Sequence, residues 1–210
     1  MLAGTVGGID DLFEGDAKRQ AAARAYALSR LSPKFQQLGW DNRDGDSATT
    51  KQLRSSLIGI LSGLGDQQVI AEARRRFNAS LTDPKALSPD LRRTVLGIVA
   101  RNADAATWDQ LRALAQGEKS SMIRDQYYGL LAAAKDKALA RRALDMALTD
   151  EPGATNSAGI ISGVSREHPD MAFDFAVAHR AQVDTLVDST SRARYYQGLG
   201  GGAADMAMVA

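Results

Sequence analysis

A frame of apolar residue, arginine, glycine and aspartate recurs along this chain, and it constrains the fold more than any other feature. LRSSLIGILSGLGD begins at Leu53, LRRTVLGIVARNAD at Leu91 and IRDQYYGLLAAAKD at Ile123. In each copy a glycine stands six residues after the first apolar residue (Gly59, Gly97, Gly129). An aspartate follows seven residues after the glycine (Asp66, Asp104, Asp136). Gly163 and Asp170 repeat the second half alone, so the four glycines fall 38, 32 and 34 residues apart. Periods of this length mark arrays of small units, none able to bury its own apolar surface.

The spacing inside each copy predicts an amphipathic helix. Apolar residues fall at Leu53, Leu57, Ile60 and Leu61; at Leu91, Val95, Ile98 and Val99; and at Ile123, Tyr127, Leu130 and Leu131. At about 100° per residue each set shares one stripe. A glycine inside a helix costs up to ~1 kcal/mol against alanine, so its repeated use points to close approach by a neighbouring unit's backbone. The aspartate suits the N-cap of a second helix, where a carboxylate accepts unpaired backbone N–H groups. Downstream of it lie Ile70, Ala73 and Phe77; Trp108, Leu111 and Leu114; Ala140, Ala143 and Ala147; and, after Asp170, Phe173 and Val177. Ser88-Pro89-Asp90 adds an N-cap, a first-turn proline and a first-turn acid.

The expected fold is therefore all-α, an α-solenoid of HEAT- or armadillo-like hairpins in one domain over residues 1–210. Residues 1–45 would hold N-terminal helices (17–31 and 33–38), 46–179 four hairpin repeats, and 180–210 partial C-terminal helices. Loops are expected at 39–47, 80–87 and 149–153. AFDFAV (172–177) alternates as a strand would, but it occupies a second-helix slot.

Composition excludes several chemistries. Lys and Arg number 26 against 25 Asp and Glu, a net charge of +1, so no global positive field favours nucleic acid. With no cysteine there is no disulfide, thiol nucleophile or thiolate zinc site. No apolar run reaches the ~18 residues of a membrane span, and MLAGTVGGID lacks the pattern of a signal peptide. The end, GLGGGAADMAMVA, is a glycine hinge followed by apolar residues, as in a piece cut from a longer protein. His168 and His179 stand eleven apart, so His-Glu-x-x-His is absent, and the lone His168 before Pro169 reads as an exposed loop residue. GEKSS (117–121) lacks the spaced glycine of a phosphate loop, and no Gly-x-Ser-x-Gly elbow exists. No catalytic residue and no metal ligand is assigned to this chain.

Arginine is what remains. Arg54, Arg92 and Arg124 each follow the first apolar residue of a copy and lie beside its stripe. They read either as packed stems with their heads in water or on an acid, or as a ladder able to hold a carboxylate bidentately. Tyr128 stands beside this ladder at Arg124, while Tyr127 holds a stripe position and reads as core. Arg92-Arg93, Arg141-Arg142 and Arg74-Arg75-Arg76 read as solvated helix faces.

LGWDNRDGD (38–46), Leu53-Arg54 and EARRRF (72–77) resemble the C-terminal helical domain of the gluzincin zinc aminopeptidases, the family of the puromycin-sensitive, endoplasmic-reticulum and alanyl enzymes. DLRRTVLGIVARNADAATWDQLRAL is similar to the family's next hairpin, with Trp108 at its tryptophan position; ALARRALDMALTDE and GVSREHPDMAFDFAVAHR extend the likeness over about residues 9–199. The resemblance implies a bowl-shaped helical domain that closes over the peptide-binding chamber of a catalytic domain, restricts substrate size and helps hold the peptide's distal end. The implied partners are that catalytic domain and peptide substrates, with no nucleic acid or membrane. Zinc, its ligands and the general-base glutamate would belong to the parent catalytic domain, so this chain alone is expected to hold no cofactor and to be inert. The alternative is a free-standing HEAT-like scaffold for a protein partner.

Overall fold

The frame aspartates start helices for the reason their side chains suggest. In the computed structural model, which describes residues 16–201, Asp66 accepts from the backbone N–H groups of Gln68 and Val69, Asp104 from Thr107, and Asp136 from Ala138 and Leu139. Each carboxylate satisfies donors that the helix's first turn leaves orphaned. Eleven α-helices occur among the described residues: α1 (Ala17–Leu38), α2 (Ala48–Gly63), α3 (Gln67–Thr82), α4 (Pro89–Arg101), α5 (Ala105–Gly117), α6 (Ser121–Leu131), α7 (Lys137–Ala147), α8 (Ala154–Val164), α9 (Pro169–Ala178), α10 (Arg180–Leu186) and α11 (Arg192–Gly200). No strand occurs among them, so the described chain is all-α, and residues 172–177 lie inside α9.

Two boundaries differ from the expectation. Residues 17–31 and 33–38 form one helix with Pro33 inside it; the proline ring removes one backbone donor but its fixed φ is helical. The loop expected at 80–87 shrinks, because α3 continues to Thr82 and Pro84–Ala86 curl into a 3₁₀ turn capped by Asp83, which accepts from the Lys85 N–H.

The chain divides into two compact units between Val99 and Ala100, near the end of α4. The first buries Ala27 and Phe35 of α1, Leu57, Ile58 and Leu61 of α2, Val69, Ala73 and Phe77 of α3, and Leu91, Val95, Ile98 and Val99 of α4. In the second, α6 packs along α5, α8 against α6 and α7, and α11 against α9. Its core holds Trp108, Leu111, Tyr127, Leu131, Leu144, Ile160, Ile161 and Phe175. Trp108 is 1% exposed, and its Nε1–H donates to the Leu131 carbonyl at 3.1 Å, so the buried indole keeps its one polar group paired.

The apolar stripe lies as expected on α4 but is rotated on the other two first helices. α2 turns Arg54 inward and leaves Leu53 41% exposed, so its buried face is Arg54, Leu57, Ile58, Leu61 and Ser62. On α6 the buried face is Tyr127, Tyr128 and Leu131, with Ile123 38% exposed. A shift of one residue turns a helix by about 100°, enough on α2 to exchange Leu53 for Arg54 on the buried face, whereas on α6 Ile123 and Arg124 are both exposed.

The fourth copy keeps a different frame. Asp170 is not a cap: α9 begins at Pro169, with His168 in the N-cap position and Asp170 in the first turn. Proline fits the first helical position, and an acid there meets the positive end of the helix dipole. The buried face consequently comprises Ala172, Phe175 and Ala176, while Val177 is exposed. Close packing explains only one of the frame glycines. A Cβ on Gly163 would stand 2.7 Å from the Ala132 Cβ, a side-chain methyl rather than a backbone, whereas Gly59, Gly97 and Gly129 face nothing within 4 Å.

Candidate functional site

Arg54 lies beneath the connection 39–47, not on an open face. Its Nη2 donates to Asp46 Oδ2 at 2.6 Å, its Nη1 to Asn42 Oδ1 at 2.6 Å, and its Nε to the Gly39 carbonyl at 3.2 Å. Nη2 also reaches the Leu38 carbonyl at 3.4 Å. At 1% exposure the guanidinium is buried among acceptors that match its fixed fork of donors. Gly39, at φ 69°, supplies the left-handed turn that aims its carbonyl inward.

A second arginine holds the same segment from α3. Arg76 Nη1 pairs with Asp41 Oδ1 at 2.6 Å and its Nε with Glu72 Oε1 at 2.8 Å. Its guanidinium lies 5.0 Å from the centre of the Trp40 ring, which meets Phe35 edge-on at 5.7 Å. Asn42 Nδ2 donates to Asp90 Oδ2 at 2.6 Å. Arg76 holds the Asp41 carboxyl below the usual carboxylate range; Arg75, then Arg76, does so at Glu72; the Arg43 backbone N–H, then Arg54, does so at Asp46. The triplet 74–76 is therefore not a uniformly solvated face: Arg75 is exposed, but Arg76 is a clamp.

In the second unit an acid gathers the polar side chains. Arg112 grips Glu151 bidentately, Nε to Oε1 at 2.8 Å and Nη2 to Oε2. Gln116 Nε2 donates to Oε1 at 3.1 Å, and the Tyr128 hydroxyl lies near enough for it and the Glu151 carboxyl to act on one another electrostatically. Arg112 holds the Glu151 carboxyl low, while burial, and then Glu151 itself, push the Tyr128 hydroxyl up. Arg142 lies 4.3 Å from the centre of the Trp108 ring and pairs with Asp109 at 2.6 Å. Arg141 pairs with Asp145 at 2.9 Å and lies over Phe175 at 5.1 Å, so this doublet too is engaged.

The four candidate residues thus have different surroundings. Arg54 is held by four hydrogen bonds to residues 38–46. Arg92 is exposed on α4, in the first unit. Arg124 is exposed on α6 one helical turn before Tyr128, close enough to act on its hydroxyl electrostatically. Among the described residues no ion pair or side-chain hydrogen bond engages Arg124. Arg76, Arg112, Gln116 and Glu151 were not singled out by sequence. Arg112 does stand four residues after Trp108, the spacing that places it against the indole, but nothing local reveals Glu151 as its partner.

The histidines do not fit a zinc site. His168 is half-buried rather than an exposed loop residue, and its Nε2 lies 3.0 Å from the Ala134 carbonyl. A carbonyl only accepts, so that nitrogen carries the proton. The His179 ring packs on Phe175 at 4.5 Å, and among the described residues no three His, Asp or Glu side chains converge to hold a metal.

Relatives account for the order of these segments. The chain is 30% identical to aminopeptidase M1 of Arabidopsis thaliana over 141 residues, which is 65% of this chain and 16% of that protein. It is 27% identical to aminopeptidase M1-A of Oryza sativa subsp. japonica over 155 residues, 71% of this chain and 18% of the relative. With glutamyl aminopeptidase of Mus musculus it shares 30% identity over 142 residues, 66% of this chain and 14% of the relative. The match therefore spans less than a fifth of the length of these relatives. Residues 1–210, the whole chain, match the family described as ERAP1-like C-terminal domain, and to that family the chain belongs.

Proposed function

We propose that this chain is the non-catalytic C-terminal domain of a zinc-dependent aminopeptidase, whose helical hairpins stack into one curved, HEAT-like array that covers the peptide-binding chamber and limits substrate access and length. The observation that carries the reading is family membership along the whole chain, joined to relatives named as aminopeptidases of which the match is only a small part. Zinc and the water it activates belong to the parent catalytic domain. This chain would contribute walls and anchoring groups.

Arg124 is the anchoring group the geometry favours, one turn before the buried Tyr128, with Arg92 as a second exposed cation. Arg124, exposed and with no acidic partner among the described residues, can donate two parallel hydrogen bonds to a peptide carboxylate. Arg54, whose donors are engaged by the 38–46 segment, serves the fold instead. In the full-length enzyme, Arg124→Ala should raise KM for long peptides several-fold and leave that for dipeptide substrates unchanged, because short substrates do not reach it. Equal effects on both lengths would remove Arg124 from substrate binding.

A further inference from the structure

α1 carries Lys18, Arg19, Arg24, Arg30 and Lys34 and no acidic residue in its 22 positions. The whole chain is +1, so everything outside this helix sums to −4. The apolar side of α1 is already committed within the first unit, since Ala27 and Phe35 are buried and the helix packs on α2. What faces solvent is a cationic and aromatic strip. Tyr26 is 63% exposed, Arg30 lies 5.4 Å from its ring centre, and Lys34 follows one turn later. Among the described residues Arg19, two turns before Tyr26, pairs with Asp16 at its own helix cap, at 3.2 Å. Among the described residues Arg30 and Lys34 have no acidic partner. At ~1.5 Å per residue the strip from residue 19 to residue 34 runs about 22 Å.

We propose that this strip is a docking surface for an acidic segment of a partner protein. The inference stands apart from the aminopeptidase reading. A helix that lies on a membrane, or inserts into a hydrophobic groove, offers its apolar face, and here that face is buried in the molecule's own core. Nucleic-acid binding draws on the summed positive field of a protein, and the −4 outside α1 opposes a polyanion longer than the strip. Carboxylates along a short protein segment avoid that repulsion. They meet Arg30 bidentately and Lys34 as a point charge, and leave the Tyr26 hydroxyl free to donate.

The test is fluorescence anisotropy with a labelled glutamate-rich helical peptide at low and physiological salt. Wild type should bind it, more weakly as salt rises. Arg30→Glu with Lys34→Glu should lose affinity about tenfold or more, and the milder alanine pair should fall between, with thermal melts unchanged for both. If the folded charge-reversal variant binds as wild type does, the strip is not the surface. Tighter binding of a single-stranded oligonucleotide, or of phosphatidylserine vesicles, than of the peptide would also overturn the proposal.

Discussion

Arg54 and Arg124 occupy the same place in the repeated frame and lie on the same side of their helices, yet one is among the most buried side chains and the other is exposed. The connection before the helix makes the difference. Before α2, residues 39–47 are long enough to fold back and lay the Gly39 carbonyl, Asn42 and Asp46 over the guanidinium, joined by the Leu38 carbonyl at the end of α1. Before α6 only residues 118–120 link the helices, too few to cover Arg124. A repeat position thus sets where a side chain begins, and the neighbouring loop decides whether it becomes part of the fold or of the surface.

Substituting the two arginines would break this comparison most directly. Arg54→Ala should cost about 3 kcal/mol, the scale for removing one partner of a buried, hydrogen-bonded charge, whereas Arg124→Ala should fall within ~0.5 kcal/mol. Urea unfolding resolves the two. The chain contains two tryptophans, Trp40 in the first unit and Trp108 in the second, so Trp108→Phe and Trp40→Phe backgrounds report each unit by fluorescence. A similar loss from both arginines would mean that loop coverage does not distinguish them.

The glycines give the next largest contrast. Gly163→Ala should destabilise by about 1–3 kcal/mol because its methyl collides with that of Ala132. Gly97→Ala meets open space and should stabilise by up to ~1 kcal/mol through helix propensity alone. Thermal melts of the two variants should therefore move in opposite directions.

Acid sharpens the comparison between the units. Asp41, Asp46 and Glu72 in the first unit and Glu151 and Asp188 in the second have carboxyls held below their ordinary values. The folded state therefore binds their protons less readily than the unfolded chain. The stabilisation they provide is complete above the ordinary carboxylate pKa of about 4 and is lost as pH falls through their depressed values. Trp40 fluorescence should respond to acid before Trp108 fluorescence does, since three such groups surround one and a single group lies near the other. Smallest of all is Glu151→Gln, expected to cost less than ~1 kcal/mol because its pair with Arg112 is partly solvated.

What was legible in the sequence follows the reach of each interaction. The aspartate caps were readable because a carboxylate and the N–H groups it accepts lie two or three residues apart. The burial of Arg54 was not, because its partners lie 8 to 16 residues upstream and only the folded connection delivers them. Asp170 was misplaced because the glycine-to-aspartate spacing competed with a stronger local signal, the proline that starts α9. Gly59, Gly97 and Gly129 face open space, since helix propensity sets the cost of a glycine but not what stands opposite it. In the candidate site, Arg124 and Tyr128 were visible as neighbours one turn apart, while the Arg112–Glu151 pair joins residues 39 apart.

The central claim is that this chain shapes an aminopeptidase without performing its chemistry. Zinc-supplemented hydrolysis of an aminoacyl-p-nitroanilide, measured side by side on the polypeptide of residues 1–210 and on the full-length protein, tests it most directly. The account predicts turnover by the full-length protein and none by the polypeptide; metal-dependent turnover by the polypeptide alone would contradict it.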